Sequence, residues 1–268
     1  MTIDAPQPPR GFFSCLKVQA RITGALMLRE SMTRYGHENL GFFWLMAEPL
    51  LLTLGVMGLW TLMRSTHGTG VEVVPFILTG YSLLVVWRNV ISRSVHCLRN
   101  NAGLLFHLNI RGFDTLFARS LLDTIGALAA FFMAYVPLLL FGALEPIHDY
   151  LVLITAWVLL AWLSFGVALN IAALTEIFAP VEYFVHPTMY LLIPASGAFF
   201  MVSWLPEGLR DAALWSPMVH ASEMFRGGFF PPDVSTSWNA WYLAAWCAAF
   251  TASGLPLVRI ARNRVQGF

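Results

Sequence analysis

The sequence predicts an all-α integral membrane protein, and three observations lead to that fold class. Hydrophobic residues make up 57% of the 268 residues, charged residues make up only 12%, and the mean hydropathy is +0.66. A soluble domain carries about a quarter charged residues, so this chain cannot cover a water-facing surface. Its apolar residues also gather in runs long enough to cross a bilayer, and lipid requires such runs to be helices.

Six apolar runs predict six transmembrane helices within a membrane domain of residues 41–258. The runs cover residues 41–63, 73–95, 113–141, 151–174, 183–205 and 238–258. Pro49 interrupts the first run, and Pro187 and Pro194 interrupt the fifth. Because proline removes a backbone hydrogen bond, we expect kinks in both helices.

The basic residues predict the orientation of these spans. Twelve of them flank one side: Arg10, Lys17, Arg21, Arg29, Arg34, Arg93, Arg99, Arg111, Arg119, Arg259, Arg262 and Arg264. Only Arg64, Arg210 and Arg226 fall on the other side. The positive-inside rule therefore predicts that residues 1–40 and the tail 259–268 are both cytoplasmic.

The N-terminal segment predicts an amphipathic helix on the inner membrane face. Its polar residues Arg10, Ser14, Lys17 and Arg21 recur at helical spacing, opposite Phe13, Leu16, Ala20 and Met27. A helix with such faces lies in the membrane interface. The alternative is a plain basic segment next to the membrane.

The outer connection of residues 206–237 is too long and too apolar for a solvated loop. Ser216-Pro217 is typical of a helix start, and Gly227-Gly228 with Pro231-Pro232 is typical of a helix end. We predict two short helices, at residues 207–215 and 217–226, before the last span. Neither can cross a bilayer, so they form a re-entrant or interfacial element.

The sequence carries no pattern for nucleotide, metal or nucleic acid binding. Its single lysine, Lys17, lies outside any glycine-rich phosphate loop. Glu182 and His186 could share one helix face, but a metal site needs three or four ligands. With a net charge of +1 and no basic run, nucleic acid is not an expected partner either. We expect no catalytic residue, metal or cofactor in this chain.

Charged and aromatic residues within the spans predict a substrate path. Glu48, Arg88 and Asp123 are costly in lipid, so they must face the bundle interior, a partner subunit or water. A coupling-ion site, a polar translocation surface and an internal Arg88–Asp123 pair all remain open. The aromatic rings that lie deep in spans could stack on sugars: Trp87, Trp162 and Tyr190.

Three stretches together resemble the capsular polysaccharide export permeases, the membrane subunits of type-two ABC exporters. The first is Arg29-Glu-Ser-Met-Thr-Arg-Tyr-Gly36, continuing to Glu48-Pro49. The second is His186-Pro187, Tyr190 and Pro194-Ala-Ser-Gly-Ala-Phe199, continuing to Trp204. The third is Pro217, His220, Glu223 and Arg226-Gly227. The resemblance covers most of the chain, from residue 29 to residue 242.

The resemblance implies a homodimer in the bacterial inner membrane, bound to two copies of a separate ATPase that binds the ATP. It implies a channel between protomers for a lipid-linked acidic polysaccharide. Periplasmic co-polymerase and outer-membrane export proteins would complete the machinery. The same fold could serve another lipid-linked glycan, such as O-antigen or teichoic acid, or a small amphiphile. A membrane-embedded lipid-modifying enzyme, or an ion-coupled carrier using Glu48 or Asp123, is the more distant alternative.

Three groups of residues are predicted to work in such an exporter. The loop 99–112 should dock on the ATPase through Arg99, Asn100, Asn101, Asn109 and Arg111. Arg29, Arg34 and Tyr35 should anchor the interface helix, with Arg34 and Tyr35 holding it against the first span. His220, Glu223 and Arg226 should form an outer lid, held by a Glu223–Arg226 ion pair; a static plug is the alternative.

Overall fold

The computed structural model describes residues 11–35, 41–62, 71–107 and 110–266, and its helices follow the hydrophobic pattern of the sequence. They are α1 (Phe12–Tyr35), α2 (Gly41–Leu62), α3 (Val73–Ser92), α4 (Cys97–Asn100), α5 (Ala102–His107), α6 (Gly112–Leu140), α7 (Tyr150–Ile177), α8 (Val181–Leu192), α9 (Glu207–Leu214), α10 (Pro217–Phe229) and α11 (Ala240–Gln266). Two 3-10 turns, Pro194–Ser196 and Val202–Trp204, lie between α8 and α9. The described part contains no strand, so the predicted all-α class is confirmed.

Five helices are long and apolar enough to cross a membrane, namely α2, α3, α6, α7 and α11. They match the first, second, third, fourth and sixth predicted spans to within a few residues. The predicted tail of residues 259–268 is not separate from the last span, because α11 continues through it as far as Gln266.

The two ends of the bundle differ in charge. We use the name charged end for the end of the bundle at which α3, α7 and α11 finish and α2, α6 and α8 begin. Side chains tie these termini together there, as in the Arg93–Glu48 contact between α3 and α2 and the Arg264 bond to the carbonyl of Ile177. The opposite end carries the short helices α9 and α10.

The predicted fifth span, residues 183–205, is not one continuous helix. α8 begins at the charged end and stops at Leu192, and Gly197 then adopts a left-handed conformation with φ of 77°. At the opposite end, the Trp204 ring lies 4.8 Å from that of Phe76 at the start of α3. The segment therefore crosses the bundle as a short helix followed by irregular backbone, which Pro194 and Gly197 favour.

The centre of the bundle is α7, which packs against α3, α6, α10 and α11. Phe131 of α6, Trp157 of α7 and Phe225 of α10 meet in one aromatic cluster, with Phe131 and Phe225 edge to face at 5.4 Å. The element predicted to be re-entrant or interfacial thus contributes α10 to the main core. α9 has no buried residue and lies outside it.

Gly80 of α3 allows the irregular crossing to approach closely, and this gives a first testable prediction. A Cβ added there would overlap the carbonyl oxygen of Ala198 and lie 2.6 Å from Nη2 of Arg226. Gly80→Ala should therefore lower the melting temperature in detergent clearly, by several degrees. Gly55→Ala in α2 is the matched control, because nothing lies within 4 Å of its added methyl group. Equal melting of the two variants would contradict the close contact.

Candidate functional site: a charge network and a polar cavity

Six charged side chains from α1, α2, α6 and the end of α3 form one connected group at the charged end, which we call the charge network. Its members are Glu30, Arg34, Glu48, Arg93, Arg119 and Asp123. Each is within ion-pair distance of at least one other member. Such a network joins separate helices, because removing one partner leaves another charge unpaired.

Arg34 attaches α1 to α6 rather than to the first span, which corrects that part of the sequence prediction. Its Nη1 contacts Oδ1 of Asp123 at 2.5 Å, and its Nε contacts Oε1 of Glu30 at 2.7 Å. The Asp123 side chain is only 2% exposed, so this contact is largely shielded from water. Arg29 adds a second attachment, donating to Oδ1 of Asn101 at 3.0 Å.

Glu30 is held ionised between two arginines. Burial opposes its charged form, but the guanidinium groups of Arg119 and Arg34 outweigh that effect and lower the pKa of Glu30. Arg119 binds Oε1 of Glu30 at 2.6 Å and also donates to the carbonyl of Arg93. Through these bonds α1 contacts both α6 and the end of α3.

Arg93 connects the charge network to α2. Its guanidinium lies 2.8 Å from Oε2 of Glu48 and 3.8 Å from Oδ1 of Asp123. The Arg88–Asp123 pair, one of the three interpretations that the sequence left open, does not form, because Asp123 is paired with Arg34 and Arg93. Arg88 has no ion-pair partner among the residues that the structure describes.

A polar cavity of about 240 Å³ adjoins the network, and Glu48 and Arg93 line it as well. Its other charged or hydrogen-bonding side chains are Arg88, Asn89 and Ser92 of α3 and His186 and Tyr190 of α8. Three residues of the predicted substrate path, Glu48, Arg88 and Tyr190, thus meet here. His186 lines this cavity, whereas Glu182 binds His96 elsewhere.

The other predicted path residues lie outside this cavity. Trp87 does not line it and packs against the buried cluster of Ile91, Val185 and Met189, of which Met189 also lines the cavity. Trp162 lies between α7 and α11, where its ring nitrogen donates to Oγ1 of Thr251 at 3.0 Å. Neither tryptophan therefore shares the cavity with Tyr190.

The predicted docking loop forms the short helices α4 and α5 at the charged end. Arg99, Asn100 and Arg111 are exposed, as a docking surface requires, whereas Asn101 is only 7% exposed. Asn101 accepts from Arg29 and donates to the carbonyl of Cys97, so its role in the structure is to fix the loop. Asn109 and the side chain of Tyr35 lie outside the described residues.

His96 joins this loop to two other helices, and sequence reasoning did not single it out. It has φ of 55°, and its Nε2 lies 2.8 Å from Oε1 of Glu182 at the start of α8. Arg99 contacts Glu176 near the end of α7 at 3.2 Å. A non-glycine residue held in the left-handed region is a costly conformation that its surroundings must enforce.

Arg226 of α10 satisfies the backbone of the irregular crossing. The side chain is fully buried, and it donates to the carbonyl oxygens of Gly197, Ala198 and Phe200, each at 2.7 Å. Its guanidinium also lies 4.3 Å from the centre of the Phe76 ring. Irregular backbone within a membrane needs such internal partners, because lipid supplies none.

Glu223 has a similar role, so the predicted Glu223–Arg226 ion pair is not the contact that forms. Its two carboxylate oxygens accept from the backbone nitrogens of Val202 and Ser237, at 3.0 and 2.9 Å. His220 bonds the carbonyl of Leu214 and accepts from the backbone nitrogen of Asn239. All three predicted lid residues therefore fix neighbouring backbone, and the opening of a lid stays a prediction.

The glycines after Arg226 serve close packing rather than a helix end. α10 continues through them to Phe229, which corrects the predicted end at Arg226. A Cβ on Gly228 would lie 2.5 Å from the backbone nitrogen of Leu153 in α7, and one on Gly227 would lie 2.9 Å from Oγ1 of Thr236. Both glycines therefore allow close packing of α10 against its neighbours.

Comparison with known proteins identifies the family. No protein-family model matches the chain. The capsule polysaccharide export inner-membrane protein CtrC of Neisseria meningitidis serogroup B is 38% identical, over 92% of this chain and 93% of that protein. The capsule polysaccharide export inner-membrane protein BexB of Haemophilus influenzae is 36% identical, over 92% and 94%. The polysialic acid transport protein KpsM of Escherichia coli is 29% identical, over 92% and 95%.

The chain belongs to the family of capsule polysaccharide export inner-membrane proteins. This confirms the resemblance drawn from the three sequence stretches. It also agrees with the five helices that are long and apolar enough to cross a membrane.

In this capsule-export protein, the sequence predicted a role for only some residues of the charge network. In the sequence, Arg93 and Arg119 are only basic residues that flank predicted spans, and Glu30 appears only within the first of the three stretches. The spacing of Glu30 and Arg34, four residues apart on a helix, was the one local signal for their pairing. The contacts from α1 to α6 and from α3 to α2 join residues far apart in the chain, and no local pattern predicts them.

Proposed function

We propose that this chain is the membrane permease subunit of an ABC exporter that moves lipid-linked, acidic capsular polysaccharide across the inner membrane. A separate ATPase binds the ATP and drives transport, and this chain is not itself an enzyme. The names of its relatives support the polysaccharide as cargo. The periplasmic co-polymerase and outer-membrane export proteins receive the polymer.

The observation that carries the proposal is the polar cavity on the outside of the protomer. Glu48 is 44% exposed and Arg93 25% exposed, although Glu48 is within the first membrane helix. Charged groups exposed on a membrane helix are costly against lipid, so this face needs water or a second protein surface. A homodimer that encloses a channel between two such faces supplies both.

The unpaired Arg88 fits an acidic substrate. Its guanidinium lines the cavity without an ion-pair partner among the described residues, beside the exposed ring of Tyr190. Cations attract the carboxylates or phosphates of an acidic glycan, and an aromatic ring can stack on a sugar face. The same cavity therefore offers both kinds of contact to a passing polymer.

The charged end is the cytoplasmic end in this proposal, as the positive-inside rule favours. The ATPase docks on the exposed residues of α4 and its neighbourhood, Arg99, Asn100 and Arg111. His96 and Arg99 join that surface to α7 and α8. Movement of the ATPase therefore acts on the helix that lines the cavity, through contacts between rigid elements.

Transport should depend on the partner ATPase. The purified chain in proteoliposomes should hydrolyse no ATP, because the sequence has no phosphate loop. With the ATPase added, ATP hydrolysis and movement of lipid-linked polymer should both appear. We expect Arg88→Ala to reduce polymer movement more than ATP hydrolysis, whereas Trp162→Phe, outside the cavity, should behave like the wild type. Robust ATP hydrolysis by the chain alone would exclude the permease assignment.

The docking surface can be mapped by cysteine cross-linking in a background without Cys15, Cys97 and Cys247. A cysteine at the exposed Asn100 should cross-link to the ATPase within the assembled complex. A cysteine at Asn101, next in sequence but buried, is the matched control and should react far less. Cross-links only from the turn between α7 and α8, near Ala179, would show that another loop docks.

A further inference from the structure

A large groove at the charged end is separate from the polar cavity. It has a volume of about 980 Å³ and lies between α1, the start of α6 and the end of α11. Its walls include Leu16, Phe113, Phe117 and Leu255. The rings of Phe113 and Phe117 stack at 5.8 Å, and Leu16 is 56% exposed. The groove thus offers a substantial apolar surface.

Three arginines line the same groove: Arg111, Arg259 and Arg262. The side chains of Arg259 and Arg262 have no hydrogen bond or ion pair within the part of the chain that the structure describes, and the buried Nε of Arg262 is without a partner there. The carboxylate in the groove, Asp114, is already occupied by Gln19 and the backbone nitrogen of Arg111. The groove therefore combines apolar walls with uncompensated positive charge.

We infer that this groove binds one anionic phospholipid of the inner leaflet, with its phosphate on Arg259 and Arg262 and its acyl chains along Phe113 and Phe117. Basic pockets between helices at the cytoplasmic side of a membrane favour anionic headgroups. Guanidinium groups match phosphate oxygens in geometry and charge. The lipid joins α1 to α11, two helices that polar side chains otherwise attach separately to α6 and α7. This inference rests on the proposed orientation of the charged end.

Native mass spectrometry of the full chain, without ATPase or polysaccharide, tests the lipid directly. Phosphatidylglycerol should bind in a one-to-one ratio and more tightly than phosphatidylcholine. Arg259→Gln with Arg262→Gln should weaken phosphatidylglycerol binding roughly tenfold. Lys17→Gln with Arg21→Gln is the matched control, because it removes two exposed charges from the same end of the protein outside the groove. That control should change the affinity less than about twofold.

A second variant tests the apolar half of the site. Leu255→Trp fills the groove without changing charge, and it should also weaken phosphatidylglycerol binding. If the double arginine variant fails to fold, Leu255→Trp alone tests whether the lipid binds in the groove.

Three outcomes would overturn the inference. They are unchanged binding in both groove variants, an equal loss in the Lys17 and Arg21 control, or equal binding of phosphatidylcholine. If binding is unchanged in both groove variants and a separate pull-down shows that they no longer bind the ATPase, the surface is a protein contact instead. Transport is not part of this assay, so failure here leaves the proposed export function standing.

Discussion

Arg34→Ala should abolish polysaccharide export while the protein remains inserted in the membrane. Arg34 is the shared partner of Glu30 and Asp123, and Asp123 is almost completely shielded from water. Removing one member of a buried ion pair costs about 3–5 kcal/mol, because the remaining charge is left uncompensated. We expect the C-terminal part of α1 to detach from α6 around Asp123, which weakens the connection of α1 to the charge network, although Glu30 keeps its bond to Arg119 and Gln19 its bond to Asp114.

Two measurements follow this change. Surface polysaccharide reports export, and limited proteolysis within α1 reports its detachment. Because the pKa of Glu30 is lowered from 4.5, its contribution to docking is complete above that value. It is lost on acidification below 4.5, so α1 of the wild type should become protease-sensitive there.

The matched control is Arg21→Ala on the same helix, where the side chain is exposed. It should export normally and keep α1 protected. Export and protection of α1 in Arg34→Lys should be intermediate between those of Arg34→Ala and Arg21→Ala, since a lysine keeps the charge but not the forked geometry. Loss of membrane insertion in Arg34→Ala would show a folding defect instead. Normal export by Arg34→Ala would show that export does not depend on the charge network.

Arg226→Ala should cause the largest loss of stability of any single charge removal in the described structure. Three carbonyl oxygens of the irregular crossing would lose their donor together, in a fully buried place. Each unsatisfied buried polar group costs about 1–3 kcal/mol, so a total of several kcal/mol follows. Thermal melting in detergent and the amount of inserted protein measure the effect.

Arg210→Ala supplies the comparison, because Arg210 also donates to two backbone carbonyls, of Leu205 and Ser203, but at an exposed position. Water can replace its bonds, so the melting temperature should change little. Arg226→Lys should not restore stability, since one ammonium cannot reach three diverging carbonyls. A stable Arg226→Ala protein that leaks small solutes would instead favour the lid predicted from the sequence.

The hydrophobic pattern located most of the fold because a membrane helix must satisfy its backbone within itself. Run length and composition then suffice to find α2, α3, α6, α7 and α11. The residues 183–205 were the exception, because the run is apolar enough for a span but its backbone bonds go to Arg226 and Glu223. Those bonds join residues more than twenty positions apart, and composition carries no information about them.

At the candidate site, too, the sequence identified some features and the tertiary structure decided the others. The sequence alone identified Glu48, Arg88 and Asp123 as residues that need partners, since an intramembrane charge is costly wherever it faces. Only the tertiary structure determined those partners: Asp123 pairs with Arg34 and Arg93, and Arg88 lines the cavity. Pairing energy depends on the distance and burial of both groups, and these are set by how distant helices pack.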